Sequence, residues 1–137
     1  MKFDAVDDAI KFFLKGYPLE NIKTETWSSH EWLHFLRHLP RDLNRNDLKK
    51  LDQAFAFTTS GNSEILNAWF QICIPIGYSK MDHKLEEFLK TVGRRKFLKP
   101  LYEALYKKSP EKARKIYKQV RGNYHAVTTQ TLDAILL

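Results

Sequence analysis

Apolar residues recur along this chain at spacings of three and four. Phe3, Val6, Ile10, Phe13 and Leu14 share one helical face, and Gly16 ends the run. A short helical turn over 19–22 follows Pro18. Trp32, Leu33, Phe35, Leu36 and Leu39 form the next apolar face, closed by Pro40. Leu48, Leu51, Ala54 and Phe55 form another, with Asn46 as its expected cap. Residues 65–76 are apolar almost all round, which predicts a central helix buried on most sides. Met81, Leu85, Phe88, Leu89 and Val92 predict a helix that ends on Gly93 in a left-handed cap. Phe97, Leu98, Leu101 and Leu105 continue the pattern. Ser109-Pro110 reads as an N-cap with proline at the first helical position. Ala113, Ile116, Tyr117, Val120 and Tyr124 fall on one face, and a last helix runs from about Thr128 to the end.

No window alternates with period two, and no Asn-Gly or Asp-Gly hairpin turn occurs. The expected class is all-α. About eight helices joined by short loops suit a two-layer αα superhelix of the armadillo or HEAT kind, although no internal sequence repeat is present. The chain has 137 residues, with no linker or low-complexity stretch, and reads as a single helical domain over 1–137. Its 43% hydrophobic and 13% aromatic content excludes intrinsic disorder. One cysteine, Cys73, excludes an internal disulfide framework, and its apolar neighbours Ile72 and Ile74 suggest a buried, inert thiol. No apolar run is long enough to span a membrane, and the first residues do not read as a signal peptide, so a cytoplasmic location is expected.

The net charge of +7 is unevenly distributed. Thirteen Lys/Arg and four Glu lie between Lys84 and Arg121, so the whole excess sits in that segment. Such a field can attract nucleic acid, an anionic membrane or an acidic small ligand, or it can simply be a solvated helical surface. Tyr102, Tyr106, Tyr117 and Tyr124 could interleave with these cations as a base-stacking surface, but such tyrosines are more often half-buried helix-face residues.

His30-Glu31-Trp32-Leu33-His34 matches H-E-x-x-H, the spacing that puts two imidazoles and an activating carboxylate around one zinc ion. Four features argue that it is a decoy. At 100° per residue, His30, His34 and His38 span an arc opposite the apolar stripe, so they should face solvent. Glu31 completes an S-x-x-E capping box with Ser28. In zinc aminopeptidases a third ligand, Glu, follows one helix later, where this chain has Gln53. A catalytic zinc also needs a substrate cleft and transition-state stabilisers, and none is recognisable.

Gly93-Arg94-Arg95-Lys96-Phe97 carries a stronger signal. Three cations at a helix start oppose the helix dipole, each by about 0.3–1 kcal/mol, so local stability does not require them. An anion would relieve the conflict, with Arg suited to a planar carboxylate and Lys adding a point charge. Pro100 lacks an N–H for the Lys96 carbonyl, so a kink or short first turn is expected.

The order Asn62-Ser63-Glu64-Ile65, Trp69, Ile72-Cys73-Ile74, Gly93-Arg94-Arg95-Lys96-Phe97, Pro100-Leu101-Tyr102, Ala113, Tyr117 and Tyr124-His125-Ala126-Val127-Thr128 resembles the C-terminal domain of the leukotriene hydrolase and aminopeptidase B group of zinc aminopeptidases. Trp27-Ser28-Ser29-His30 aligns with that domain's Leu-Ser-Ser-His-like helix start. The resemblance implies an armadillo-like domain behind a catalytic zinc domain that this chain does not contain. It implies that the zinc belongs to that other domain, and that no catalytic or metal-ligating residue lies here. The family's G-R-x-K-F motif holds the free carboxylate of the peptide substrate, which carries that role over to Arg94 and Lys96. The implied partners are the other domains of a larger chain and a short peptide, with neither membrane nor nucleic acid expected. The implied activity is removal of N-terminal residues from peptides by the larger enzyme, not by this domain alone. Two alternatives stay open on the residues themselves: a free-standing basic adaptor for nucleic acid or an acidic protein, and a self-contained zinc site at His30 and His34.

Overall fold

The structure, a computed structural model, describes residues 3–137. Eight α-helices follow one another: α1 (Asp4–Leu14), α2 (Ser29–Arg37), α3 (Arg45–Phe55), α4 (Ser63–Ile76), α5 (Asp82–Thr91), α6 (Arg95–Lys108), α7 (Pro110–Val120) and α8 (Ala126–Leu136). Three 3₁₀ turns interrupt them, at Leu19–Asn21, Phe57–Thr59 and Arg121–Asn123. The described residues contain no strand, so the all-α expectation holds. The chain resolves into two compact units whose boundary falls inside α4, after Trp69.

Helix ends are set by local chemistry. α1 stops as expected at Gly16, which takes φ +85°. α2 starts on the expected capping box: Ser28 accepts from the Glu31 N–H while Glu31 accepts from the Ser28 N–H at 3.1 Å. α3 starts on a second box, earlier in the chain than expected. The cap is Asn44, not Asn46: Asn44 Oδ1 accepts from the Asp47 N–H at 2.8 Å, and Asp47 accepts from the Asn44 N–H at 3.1 Å. Asn44 has the acidic partner three residues on that completes a box, whereas Asn46 is followed there by Lys49. α3 ends on Ala56 at φ +55°, the one non-glycine described residue with positive φ. Asn62 Oδ1 accepts from the N–H groups of Glu64 and Ile65 and so starts α4.

In the first unit α1 packs on α2, and α3 packs against the 3₁₀ turns on either side of it. Trp27, Trp32, Phe35, Phe55 and Phe57 form an aromatic cluster, with Trp32 centred 5.0 Å from Phe55 and 5.5 Å from Phe57. Trp69 closes it, 5.0 Å from Phe57, and donates its indole N–H to Thr58 Oγ1 at 3.0 Å.

In the second unit α6 packs on α7 and α8, and α7 also meets α5. Phe70, Phe88 and Phe97 stack edge-on through its interior. Cys73 is fully buried in α4, as expected, and Trp69 and Phe70 are likewise core residues. α7 begins at Pro110 with Ser109 in the cap position, but the Ser109 side chain makes no cap hydrogen bond. α7 ends at Val120, so Tyr124 is not on its face as expected but follows the 3₁₀ turn in extended backbone. α6 continues through Pro100 without a break, and its first turn is tightened by a hydrogen bond from the Phe97 N–H to the Arg94 carbonyl at 3.0 Å.

Candidate functional site

The basic turn between α5 and α6 is built by extended backbone on both sides. α5 exits through Val92 at φ −97°, ψ 125°, and Arg94 enters α6 at φ −77°, ψ 121°. Gly93 does not adopt the left-handed cap expected of it. The Leu89 carbonyl, near the free end of α5, instead accepts a hydrogen bond from the Tyr124 hydroxyl. With that carbonyl satisfied from elsewhere in the fold, the helix needs no glycine cap, and Gly93 is free to extend.

Arg94 occupies the N-cap position of α6, Arg95 the first helical position and Lys96 the second. No side chain caps this helix and its first turn contains no acid. Arg94 and Lys96 converge on one ring: the guanidinium carbon lies 5.7 Å, and Lys96 Nζ 4.9 Å, from the centre of Phe97. Phe97 is buried, so it fixes the base on which both cations rest. Arg95 donates to Thr131 Oγ1 on α8 at 3.4 Å. Arg94, Arg95, Lys96, Lys99 and Pro100 line an open depression of about 400 Å³. All four of its cationic residues are solvent-exposed. Chemically, such a surface can pair an exposed carboxylate with a guanidinium and an ammonium group.

Behind this turn lies a tyrosine cluster. Tyr102 and Tyr117 are fully buried and Tyr124 nearly so, more deeply than half-buried helix-face residues. Because Tyr124 donates to Leu89, its oxygen accepts from the Tyr102 hydroxyl at 3.0 Å. Burial pushes the Tyr102 phenol far above its usual range, and the hydrogen bond with Tyr124 adds to this. Burial pushes Tyr124 up to about 12. Tyr117 is also raised to about 12, chiefly by burial and then by its hydrogen bond to Asp133. Asp133 is held down at about 2 by hydrogen bonds from Arg121 first and Tyr117 second. Sequence spacing presents these tyrosines only as a surface or a helix face. The partners of Tyr102 and Tyr124 lie 22 and 35 residues away in the chain, beyond the reach of local spacing.

Two of the H-E-x-x-H residues, Glu31 and His34, are otherwise engaged. Glu31 serves the capping box. His30 and His38 are exposed, but His34 does not face solvent as expected. α1 covers it: Asp7 Oδ1 lies 2.7 Å from His34 Nε2, and the Phe3 ring stacks on the imidazole at 4.1 Å. His38 Nδ1 is 2.8 Å from the His34 carbonyl, and the two rings stack at 3.9 Å. Glu31 is thus turned to the backbone and His34 Nε2 to Asp7, rather than both to a common centre. Gln53 is exposed on α3 at the margin of a groove of about 570 Å³ between the end of α1 and α3.

The family described as leukotriene A4 hydrolase, C-terminal, matches residues 27–136. Leucine aminopeptidase 2-2 of Scheffersomyces stipitis is 35% identical over 92 residues, covering 64% of this chain and 14% of that protein. Aminopeptidase B of Mus musculus is 28% identical over 90 residues, again 64% of this chain and 14% of that protein. Leucine aminopeptidase 2 of Chaetomium globosum is 26% identical over 128 residues, covering 91% of this chain and 21% of that protein. The chain therefore spans between about a seventh and a fifth of the length of these relatives.

Proposed function

The chain belongs to the leukotriene A4 hydrolase C-terminal family, and from that premise we propose that it serves as the non-catalytic helical domain of a larger aminopeptidase. That enzyme removes N-terminal residues from short peptides in the cytoplasm. This domain walls the substrate cleft, and Arg94 and Lys96 hold the peptide's free C-terminal carboxylate. Its partners are the catalytic and N-terminal domains of the same protein and the peptide itself. The zinc used by such enzymes is held outside this chain, since His30, Glu31 and His34 do not fit it.

The observation that carries the reading is the pairing of Arg94 and Lys96 over Phe97, at the mouth of an open depression, within the segment that matches the family. Arg94 offers a planar fork to a carboxylate and Lys96 a point charge beside it. Their contribution is orientation: a peptide anchored at its far end presents its N-terminal residue in one register.

The test is Arg94→Ala in the full-length enzyme. A charge-assisted pair is worth about 1.5–3 kcal/mol, so kcat/KM for a tripeptide should fall by roughly ten- to a hundredfold. The same tripeptide with an amidated C-terminus should be much less affected. An unchanged kcat/KM for the free acid would remove the carboxylate role.

A further inference from the structure

Resting on the carboxylate reading, we infer that Tyr124 is the positioning residue for the Arg94–Lys96 turn, holding from inside the fold the two helices between which that turn is strung.

The last carbonyls of a helix have no partner within it. At the end of α5 the Phe88 carbonyl is taken by the Val92 N–H at 2.9 Å, and Thr91 Oγ1 donates to the Glu87 carbonyl at 2.9 Å. The Leu89 carbonyl is taken by Tyr124. The same phenol oxygen accepts from Tyr102, two turns into α6. One atom thus joins the last turn of α5 to α6, and the residues between, Val92 to Lys96, form the turn that carries the cations. Both hydrogen bonds are buried, where such bonds are stronger than at the surface and costlier to lose. Phe97 and Thr131 hold the α6 side of the turn, but its α5 side is open: a Cβ built on Gly93 would meet nothing within 4 Å, and backbone on either side of it is extended. Where Arg94 stands therefore depends on how the end of α5 is held against α6, and Tyr124 joins the two.

Removing this one oxygen strands two buried groups, the Leu89 carbonyl and the Tyr102 hydroxyl. The end of α5 can then shift relative to α6, and the cations shift with it. A misplacement on the order of 1 Å is enough to cost much of an orienting interaction.

The experiment compares Tyr124→Phe with the parent in the full-length enzyme, using one tripeptide as free acid and as C-terminal amide. The readout is the acid-to-amide ratio of kcat/KM. The ratio should fall roughly tenfold, mainly through KM for the acid. Tyr102→Phe removes only the α6 arm and should lower the ratio by a smaller factor. It also keeps the test available if Tyr124→Phe does not fold. A general loss of stability would lower both substrates together and leave the ratio intact, which would overturn the inference. Arg94→Ala separates the two levels. If it leaves the ratio unchanged, the carboxylate reading fails and this inference with it. If it abolishes the discrimination while both tyrosine variants retain it, the positioning role alone is wrong.

Discussion

Tyr117 donates its hydroxyl to Asp133 Oδ1 at 2.6 Å, joining α7 to α8, while Arg121 grips the same carboxylate through two hydrogen bonds of 2.9 and 2.6 Å. The pair titrates in opposite directions. Asp133 is lowered from 3.8 to about 2, so its contribution to stability is present above pH 3.8 and is lost as pH falls toward 2. Tyr117 and Tyr124 are raised from 10.0 to about 12, so theirs is present below pH 10 and is lost as pH rises toward 12. The urea midpoint, followed by circular dichroism, should therefore decline at both ends. Asp133→Asn should lower the midpoint at pH 7 and flatten the acid limb. An acid limb as steep as the parent's would show that other carboxylates dominate it.

The capping box at the start of α2 separates a structural Glu31 from a catalytic one. Ser28→Ala removes the oxygen that receives the Glu31 N–H and should cost about 1 kcal/mol in urea unfolding. Glu31→Gln keeps an acceptor for the Ser28 N–H, so it should change stability by only a few tenths of a kcal/mol. The same Glu31→Gln change should leave peptidase turnover by the full-length enzyme intact. A base for water activation would lose nearly all turnover on becoming an amide. A thousandfold fall in kcat would make H-E-x-x-H a working site after all.

What the sequence discloses and what it hides divide by range. Helix faces such as Leu85, Phe88 and Leu89 repeat at 3.6-residue spacing, and all three are buried. Ser28 and Glu31 are three residues apart, so their box is legible in the sequence itself. Gly93 shows the limit. A glycine after a helical run predicts a left-handed cap from local statistics, but a phenol 35 residues after Leu89 satisfies the carbonyl that such a cap would serve. His34 departs from expectation for the same reason: helical spacing fixes its arc on α2, but Asp7 and Phe3 arrive from α1 and cover it. For the candidate site, the cations Arg94 and Lys96 are readable as a cluster. Their convergence on Phe97 and the tyrosine support behind them depend on tertiary packing.

Ala56 offers a gain in stability. It ends α3 at φ +55°, ψ 43°, a left-handed conformation that costs an L-residue roughly 1–2 kcal/mol. Its side chain is exposed, so little packing is lost on its removal. Glycine adopts this conformation without penalty but raises the entropy of the unfolded chain by about 0.4–1 kcal/mol. Ala56→Gly should therefore raise the unfolding free energy by about 0.5–1 kcal/mol, read from the urea midpoint at constant slope. A loss of stability would mean that the Ala56 methyl group packs more than its exposure suggests.

The basic segment makes a final prediction about polyanions. Base recognition on single strands needs aromatic faces open to stacking. Tyr102, Tyr117 and Tyr124 present none, since all three are buried in the second unit, and the half-buried Tyr106 already carries the Arg114 guanidinium over its ring at 5.1 Å. The lysines and arginines from Lys84 to Arg121 remain able to neutralise phosphates. Binding to a single-stranded oligonucleotide should therefore be electrostatic alone: detectable by fluorescence anisotropy at about 50 mM salt, lost by about 200 mM, and equal for pyrimidine and purine tracts. Tight binding that survives the higher salt or prefers one base would favour the free-standing adaptor, because charge neutralisation by itself supplies neither property.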